Sequence, residues 1–385
     1  MKRLVLAGGG HAHLSVLRAL AQMPPTDIEV VLITPSLFQN YSGMLPGWIS
    51  GHYTQAQCRI DLRALAQSAR ARIVIGRIVG MDAGRHCVRL TGERHINYDV
   101  LSMDIGSEID VSWLEMAGER LLPVRPLDKF FDAWPRILSA AQNKSGYRLA
   151  VVGGGAAGVE LALAAQYALV QSEANGHIDL VASEPGPLVG YAASVQRRVA
   201  QSLSRARIAV HRLRGAGTAD GILLSDGTQL PADCIIAATG ARAPCWLTLS
   251  GLTLGENGYI AVDGHYRSIS HPDVFAAGDI CTRQDTIVAR SGVHAVHAGP
   301  VLAANLLASL RGGQMRVYRP RSRSLYLLAC GRRYAVASWG GWSAEGEWLW
   351  HLKDRIDRRF IRRFSNPKQQ HATLSEKESN SGKNI

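Results

Sequence analysis

The chain has 385 residues, of which 46% are hydrophobic and 19% are charged. This length accommodates two or three domains, and the composition is that of an ordinary globular protein. The net charge of +12 favours an anionic partner. We expect this partner not to be a nucleic acid, because no module combining aromatic and basic residues is visible.

Two further features exclude other classes of protein. No apolar run approaches the ~18 to 20 residues that span a bilayer, and Gly8 ends the first apolar run too early for a signal peptide. The six cysteines are scattered without a CxxC pair, which is typical of buried thiols in a reducing cytosol. We therefore predict a cytoplasmic protein without a disulfide framework and without a metal site.

An apolar strand over residues 4–7 runs into three consecutive glycines, and a helix-like segment follows. Such a turn lets the backbone curl against a diphosphate, while N–H groups at the start of the helix bind the anion. It predicts a dinucleotide site formed by Gly8, Gly9, Gly10, His11 and Ala12. His13 replaces the usual third glycine. We interpret it as a packing variant that shifts the helix or points out of the contact, rather than as a phosphate ligand.

The strand over residues 28–33 lacks the acidic residue that usually follows it and binds the adenosine ribose. Thr34 stands there instead. Its hydroxyl offers one hydrogen bond in place of a carboxylate's two, so Thr34 is predicted to bind the same nucleotide.

A second glycine turn begins at Gly153, 145 residues after Gly8. It also follows an apolar strand and opens a helix. It predicts a second dinucleotide site formed by Gly153, Gly155, Ala156 and Gly158. Two nucleotide sites in one chain indicate electron transfer between two nucleotides.

The strand over residues 178–182 also lacks an acid at its end, which leaves two alternatives for the second nucleotide. Glu184 can accept a hydrogen bond from a 2′-hydroxyl and select NADH. Ser183, with Arg197 and Arg198 as basic neighbours, can instead bind the 2′-phosphate of NADPH. The sequence leans slightly toward NADH.

The segment His271-Pro-Asp-Val-Phe-Ala-Ala-Gly278-Asp279 resembles the second flavin-binding sequence of the pyridine nucleotide-disulfide oxidoreductase superfamily. This resemblance implies that Gly278 and Asp279 bind FAD, with Asp279 accepting hydrogen bonds from the ribityl chain. Residues 233–240, ending at Gly240, resemble the strand that returns from the NAD domain, and residues 98–106 form a degenerate copy at the first crossing. The order of the motifs implies that the first turn holds FAD and the second NADH or NADPH.

The strings Tyr41-Ser-Gly-Met-Leu-Pro-Gly-Trp48 and Gly340-Gly-Trp-Ser-Ala-Glu-Gly346 resemble a narrower group. These are type II NADH dehydrogenase-like flavoproteins found alone or fused ahead of selenide, water dikinase. The resemblance implies that Pro46 contributes to the flavin site and that Glu160 faces the nicotinamide. For Glu160, an exposed helix position is the alternative. Residues 36–48 contain no cysteine, so electrons are expected to leave the flavin without a protein disulfide.

Residues 292–310 predict a helix with Ser291 as its N-cap, a kink at Pro300 and an end at the following glycine pair. In the superfamily this helix points its N-terminus at the flavin, which implies a cofactor contact for Val293. His297 lies approximately where type II NADH dehydrogenases have a quinone-binding glutamine. It is predicted to donate a hydrogen bond or proton to a quinone, and a structural core histidine is the alternative.

Charge and periodicity near the end of the chain indicate a membrane surface. Between Thr286 and Ala344 there are eight arginines and no acidic residue. After this region an apolar residue recurs at every fourth position opposite an arginine-rich face: Trp348, Leu352, Ile356, Phe360 and Phe364. This pattern predicts an amphipathic helix on an anionic membrane. The alternative is a helix packed on its own domain.

The sequence therefore predicts an α/β protein with two Rossmann-like dinucleotide-binding domains and a small C-terminal cap. The FAD domain is discontinuous, over residues 1–118 and 240–312, and the NAD(P)H domain over 119–239 is inserted in it. The cap spans 313–365, and residues 366–385 are predicted to form a disordered tail.

The predicted function is that of an FAD-dependent NAD(P)H dehydrogenase that passes electrons to a quinone or similar acceptor. Its expected location is the cytoplasm, including the inner face of the cytoplasmic membrane. A soluble oxidoreductase of selenium metabolism and a non-enzymatic flavin redox sensor are the alternatives. The sequence leaves the oligomeric state open, a homodimer included.

Overall fold

The first sheet of the protein is parallel and forms the base of the first glycine turn. The computed structural model describes residues 1–288, 292–321 and 323–365. The Ser291 cap and the tail over residues 366–385 lie outside them. The first elements are β1 (Lys2–Ala7), α1 (His11–Gln22), β2 (Ile28–Thr34), β3 (Phe38–Asn40), α2 (Leu45–Ile49), β4 (Arg59–Asp61), α3 (Leu62–Ser68), β5 (Ala71–Ile75), β6 (Ile78–Asp82), β7 (Cys87–Leu90), β8 (His95–Asn97), β9 (Val100–Met103) and β10 (Glu108–Ile109).

The second sheet repeats this arrangement around the second glycine turn. The elements that follow are β11 (Leu121–Pro123), α4 (Leu127–Asn143), β12 (Tyr147–Val152), α5 (Ala156–Gln171), β13 (Gly176–Val181), α6 (Ala193–Arg205), β14 (Ala209–His211), β15 (Gly215–Thr218), β16 (Gly221–Leu224), β17 (Gln229–Pro231) and β18 (Cys234–Ala237). The strand order is β11-β18-β12-β13-β14, and all neighbours are parallel.

The chain then returns to the first sheet and ends in a small antiparallel sheet. The remaining elements are β19 (Ala241–Arg242), β20 (Ile260–Val262), β21 (Val274–Ala276), β22 (Cys281–Arg283), α7 (Gly292–Arg311), β23 (Leu325–Ala329), β24 (Ala335–Trp339), β25 (Trp342–Gly346) and α8 (Glu347–Ser365). Strand β21 joins the first sheet, whose order is β21-β9-β1-β2-β5. The strands β23, β24 and β25 form an antiparallel meander. The predicted α/β class with two Rossmann-like units is confirmed.

The parallel strands are buried on both faces, so they consist of continuous apolar runs. One face of the second sheet is covered by the antiparallel strand β16, which belongs to the same apolar cluster. Leu4, Val5 and Leu6 of β1 are fully buried, as are Leu149 and Val151 of β12. The carboxyl ends of the central strands β1 and β12 carry the two glycine turns, which places both turns at sheet edges where ligands bind in such folds.

Helix α7 lies against α1, and the contact between them is close. A side chain at Gly299 would come within 2.6 Å of Ser15 Cβ, so only glycine permits this crossing. By length and composition α7 is apolar enough to span a bilayer, contrary to the expectation that no segment would be. However, Ala298, Leu302 and Leu306 are fully buried against the first domain, so α7 is a core helix here.

Helix α8 does not present the single apolar stripe that the four-residue spacing predicted. Trp348 and Ile356 are 57% and 45% exposed, whereas Phe364 is buried and Phe360 stacks on Tyr41 at 4.5 Å. The physical reason is the 3.6-residue helical period: each four-residue step advances by about 40° around the axis. The five positions therefore spread over almost half of the helix circumference. Phe364, at one end of the pattern, faces the protein, whereas Trp348 and Ile356 face outward.

Candidate active site

The first glycine turn is shaped by the backbone behind it. Gly8 has a φ of +96°, and a side chain there would overlap the backbone carbonyl of Asp104. A side chain at Gly10 would overlap the carboxyl group of the same aspartate. The turn therefore requires glycine at both positions because Asp104 fills the space beneath it.

Asp104 is a site residue that the sequence analysis missed. Its buried carboxylate accepts hydrogen bonds from the N–H groups of Ala12 and His13, at 2.7 and 3.0 Å. Burial raises the pKa of this carboxyl to about 6 in spite of these bonds. Because the N–H group of Ala12 donates to Asp104, it is not free for a diphosphate. The predicted role of Ala12 in cofactor binding stays a prediction.

His13 replaces the third glycine by packing inward, not by pointing away. Its ring is fully buried, with Nδ1 2.6 Å from Gly8 O and Nε2 2.8 Å from Ser102 Oγ. Burial lowers the pKa of His13 to about 4, so the ring is neutral at pH 7. A carbonyl only accepts, so we assign the proton to Nδ1. The interpretation as a packing residue is confirmed, and the expected displacement out of the contact is wrong.

A cleft of about 460 Å³ opens beside this turn, within the ~300 to 1,000 Å³ typical of ligand pockets. Of the residues predicted to bind the flavin nucleotide, those lining it are Gly8, Gly9, Gly10, His11, Thr34, Gly278 and Asp279. Pro46 and Val293 do not line it. Pro46 is buried within α2, whereas Asn40 and Ser42 line the cleft before it and Gly292 and Ala295 line it beside Val293.

The polar groups of the cleft suit a phosphate-containing dinucleotide. Arg125, which the sequence analysis did not single out, donates to Asp279 at 3.0 Å and to Ser107 at 2.9 Å. The Nε2 atom of His11 is buried and has no hydrogen-bond partner within the described ranges. Together with the helix start, this arginine and this unpaired imidazole nitrogen offer the cation and the donors that a diphosphate and a ribityl chain require.

The second glycine turn has the same geometry with a glycine at each key position. A side chain at Gly153, whose φ is +133°, would overlap the carbonyl of Ala238, and one at Gly158 would overlap that of Gly153. Gly155 faces open space, with no atom within 4 Å of an added Cβ. Ala156 begins α5. The open side of the turn and the helix start form a second anion cradle.

Comparison with known proteins agrees with this pair of cradles. The family model for pyridine nucleotide-disulphide oxidoreductases matches residues 2–299. The chain belongs to this family. The NADH dehydrogenase-like protein YutJ of Bacillus subtilis (strain 168) is 21% identical over 72% of this chain and 76% of its own. The probable ferredoxin reductase CtmF of Castellaniella defragrans is 26% identical over 73% of this chain and 68% of its own.

A solved structure shares nearly the whole fold. The sulfide:quinone oxidoreductase of Aquifex aeolicus superposes with a TM-score of 0.79 at 16% identity, covering 95% of this chain and 92% of that one. Members of the family bind FAD and NAD(P)H, and the two cradles fit these cofactors. The protein is thus an FAD-dependent NAD(P)H oxidoreductase, as predicted. The fusion to selenide, water dikinase is not shown by any of these relatives.

At the second nucleotide site, the structure offers a different basic residue for a 2′-phosphate than the sequence analysis proposed. Arg198 donates to Glu345 at 2.6 Å and to Ser343 at 3.3 Å, so it is engaged by strand β25. Arg212, at the end of β14, instead lies 3.2 Å from the position of a side chain on Gly186. Glu184 is exposed in the same turn. The choice between NADH and NADPH stays a prediction.

Glu160 lies in the second turn of α5 and is not an exposed helix residue. Its Oε1 accepts a hydrogen bond from the N–H of Ala329 at 2.8 Å. Burial raises the pKa of Glu160 to about 7, against the opposing effect of Lys353. A carboxyl that gains and loses a proton near neutral pH is suited to acid–base work in this family of oxidoreductases.

His297 and Gly240 lie outside the cleft. His297 is exposed on α7, and partial burial together with Arg321 lowers its pKa. It is not the buried core histidine of the alternative, and it does not line the cleft. Gly240 is exposed after β18, where its carbonyl accepts from Asp110 N at 3.1 Å. The roles predicted for both residues stay predictions.

Proposed function

We propose that this oxidoreductase passes electrons from NAD(P)H through FAD to a quinone, without a redox-active disulfide. The absence of a redox-active disulfide is supported by the protonation state of the cysteine thiols. Burial raises the pKa values of Cys58, Cys234 and Cys330 to about 12, so these thiols are protonated at neutral pH. Only the thiolate is a good nucleophile. None of the six cysteines lines the described cleft.

Some residues of the site would bind the cofactors, and one, Glu160, would accept or donate a proton. FAD, when bound, would supply the two-electron transfer between NAD(P)H and an acceptor. Arg125 and the N–H groups at the start of α1 would hold its diphosphate, and Asp279 its ribityl chain. The turn at Gly155 and the start of α5 would hold the donor's diphosphate, and Glu160 would stand beside the nicotinamide as proton acceptor or donor.

A quinone acceptor is supported by an exposed apolar surface on the C-terminal sheet. Leu325, Trp339 and Trp342 are directly paired across β23, β24 and β25, so their side chains share one face. They are 41%, 53% and 50% exposed. The side chain of Arg323 lies against Gly340 in the turn between the tryptophans. We call these four residues, Arg323 included, the hairpin tip.

The hairpin tip suits the boundary of an anionic membrane. Tryptophan prefers the interface between lipid and water, and each arginine near an anionic leaflet contributes about 1 kcal/mol. Arg321, which acts electrostatically on His297, precedes Leu325 by four residues, a reach of at most ~14 Å. We therefore place the acceptor's entry near the start of α7. The proposed location is the cytoplasm, at the inner face of the membrane.

The acceptor is tested by anaerobic assays of the FAD-loaded protein with NADH and NADPH. We expect turnover with a short-chain quinone. With a long-chain quinone, we expect faster turnover in the presence of anionic vesicles than in the same buffer without vesicles. Turnover only with an acidic iron–sulfur protein would instead assign the activity for which the CtmF relative is named. If neither nucleotide reduces the flavin, the redox-sensor alternative holds.

The membrane surface is tested by two matched double variants. Trp339→Ser with Trp342→Ser removes the hairpin tip, and we expect it to abolish co-sedimentation with anionic vesicles without loss of FAD. Trp348→Ser with Ile356→Ser removes the two exposed apolar residues of α8 and should leave binding unchanged. The reverse pattern would support the α8 membrane helix predicted from the sequence. If the wild-type protein does not bind the vesicles at all, the alternative of a soluble oxidoreductase linked to selenium metabolism is favoured.

A further inference from the structure

The joint between α8 and the two nucleotide units contains buried charges. Lys353 and Asp357 are one helical turn apart on α8, with Nζ 2.7 Å from Oδ2 and side-chain exposures of only 13% and 5%. Asp357 Oδ1 also accepts from the hydroxyl of Tyr41 at 3.0 Å. Lys353 donates a second hydrogen bond to Gly43 O at 2.6 Å. Gly43 follows Ser42, which lines the flavin cleft.

Glu160 adds a second carboxyl group to this pair. Lys353 and Glu160 each favour the charged form of the other, and Asp357 opposes the ionisation of Glu160. The remaining titratable groups that act on or feel Glu160 are Tyr41, Tyr191 and Cys330. These three are neutral at pH 7 because burial raises their pKa values. Asp354 also acts on Lys353 and Asp357, but it forms its own ion pair with Arg358 at 2.7 Å. Glu160 and Asp357 therefore share the remaining ammonium group, that of Lys353.

The arithmetic of charge has a chemical consequence. With one proton on Glu160 the three groups are neutral together, and without it they carry one net negative charge. Buried ion pairs can often be replaced by apolar residues at little cost in stability. Stability therefore does not explain why Glu160 lies beside the Lys353–Asp357 pair. The nicotinamide ring, in turn, is neutral in NAD(P)H and carries one positive charge in NAD(P)⁺.

We propose that Glu160, Lys353 and Asp357 form one charge-matching site that loses a proton when the oxidised nicotinamide occupies the second cradle. The inference rests on the proposed function, which places the nicotinamide beside Glu160. The proton leaves the Glu160 carboxyl for solvent, and no electron moves in this step. Lys353 and Asp357 act through Glu160 and are positioning residues contributed by the C-terminal helix.

The test is the ratio of the dissociation constants of NAD(P)⁺ and NAD(P)H, measured on the FAD-loaded protein from pH 6 to 8. The reduced nucleotide would reduce the flavin, so it is replaced by its unreactive tetrahydro form, which has the same neutral ring. We expect the oxidised nucleotide to bind about five- to tenfold more tightly at pH 8 than at pH 6, because a single proton is released. The neutral analogue should change less than twofold.

Three variants decide which groups are responsible. Glu160→Gln should make the ratio independent of pH. Lys353→Met should move the change to higher pH, because Glu160 then keeps its proton without a cation beside it. Arg355→Met, an exposed position on the same helix, should behave as the wild type. If Lys353→Met does not fold, the double variant Lys353→Met with Asp357→Leu removes the buried pair and should give the same shift.

Two failures are distinguishable. If both nucleotides bind and their ratio does not depend on pH in the wild type, the charge-matching site is wrong and the proposed function stands. An unchanged pH dependence in Glu160→Gln has the same meaning. If neither nucleotide binds at all, the proposed function itself is wrong, and the charge-matching site is wrong with it. Calorimetry in buffers of different ionisation enthalpy supplies a second readout. Nearly one proton is expected to leave on binding NAD(P)⁺ at pH 6, and almost none at pH 8.

Discussion

The two glycine cradles solve the same problem by different means. In the second cradle Gly158 lets α5 approach the carbonyl of Gly153 directly. In the first cradle His13 takes the equivalent place and makes hydrogen bonds to Gly8 and Ser102, while Asp104 binds the helix start from below. Close packing holds one cradle and buried polar contacts hold the other. In this protein the large residue in the first fingerprint is thus accompanied by new hydrogen bonds.

The largest expected effect comes from the packed cradle. Gly158→Val places a side chain on the carbonyl of Gly153, so α5 must move and the donor site should be lost. We expect the flavin to stay bound but anaerobic NAD(P)H to bleach it at least about 100-fold more slowly, a barrier increase of about 2.7 kcal/mol. Stopped-flow absorbance near 450 nm measures this loss.

Gly155 provides a matched comparison within the same turn. Gly155→Ala meets no atom within 4 Å and should preserve the fold. Gly155→Val should also fold but enter the space of the diphosphate and abolish bleaching with FAD retained. Normal bleaching in Gly158→Val would show that α5 can move without loss of the site, and the contrast between the cradles would disappear.

In the first cradle, Asp279→Ala should remove most of the flavin. A hydrogen bond to a charged group contributes about 1.5 to 3 kcal/mol, and the change also leaves Arg125 without its carboxylate partner. The ratio of flavin to protein absorbance after purification measures occupancy. Arg125→Met serves as the companion variant and should weaken FAD binding as well. Full flavin content in Asp279→Ala would contradict the assignment of this cleft.

The sequence predicted what is local and missed what is distant. The glycines, the flanking strands and helices, and the order of the motifs depend on neighbouring residues, and the fold class followed from them. The hydrogen bond from Ala12 to Asp104 spans 92 residues, and that from Arg125 to Asp279 spans 154. Such contacts depend on how the sheets pack. No local pattern specifies them.

The C-terminal helix illustrates the same limit. The four-residue spacing correctly predicted a helix over residues 348–364, which the structure extends to Glu347–Ser365. The spacing contained no information about what each face of the helix would contact. Lys353 and Asp357 lie between apolar positions, and their burial depends on Tyr41, Gly43 and Glu160 from two other parts of the chain. A buried ion pair looks like a solvated one in the sequence.

A smaller effect is expected when the first cradle is made to resemble the second. His13→Gly restores the glycine of the fingerprint but leaves Gly8 O and Ser102 Oγ without a partner inside the domain. Each unsatisfied buried group costs about 1 to 3 kcal/mol, and the lost ring adds a cavity. We expect a lower unfolding temperature by calorimetry with FAD still bound. An unchanged or higher unfolding temperature would show that close packing alone is sufficient in this cradle.

The smallest expected effect is a change in pH dependence at Asp104. Burial raises the pKa of its carboxyl from an ordinary 3.8 to about 6, so the native state keeps a proton that the unfolded state has lost in this window. The free energy of unfolding therefore falls as the pH rises through it. Asp104→Asn still offers an oxygen to the two N–H groups but does not titrate, so its stability relative to the wild type should rise between pH 4 and pH 7.

The comparison needs a control for all other carboxyl groups. Asp27→Asn changes an aspartate whose side chain is 66% exposed, and it should keep the slope of the wild type. Thermal unfolding of the three FAD-loaded proteins at pH 4, 5, 6 and 7 gives the slopes directly. If Asp104→Asn follows the wild type at every pH, the aspartate is ionised throughout this range. The first cradle would then hold a full negative charge beneath a diphosphate, and Arg125 alone would have to offset it.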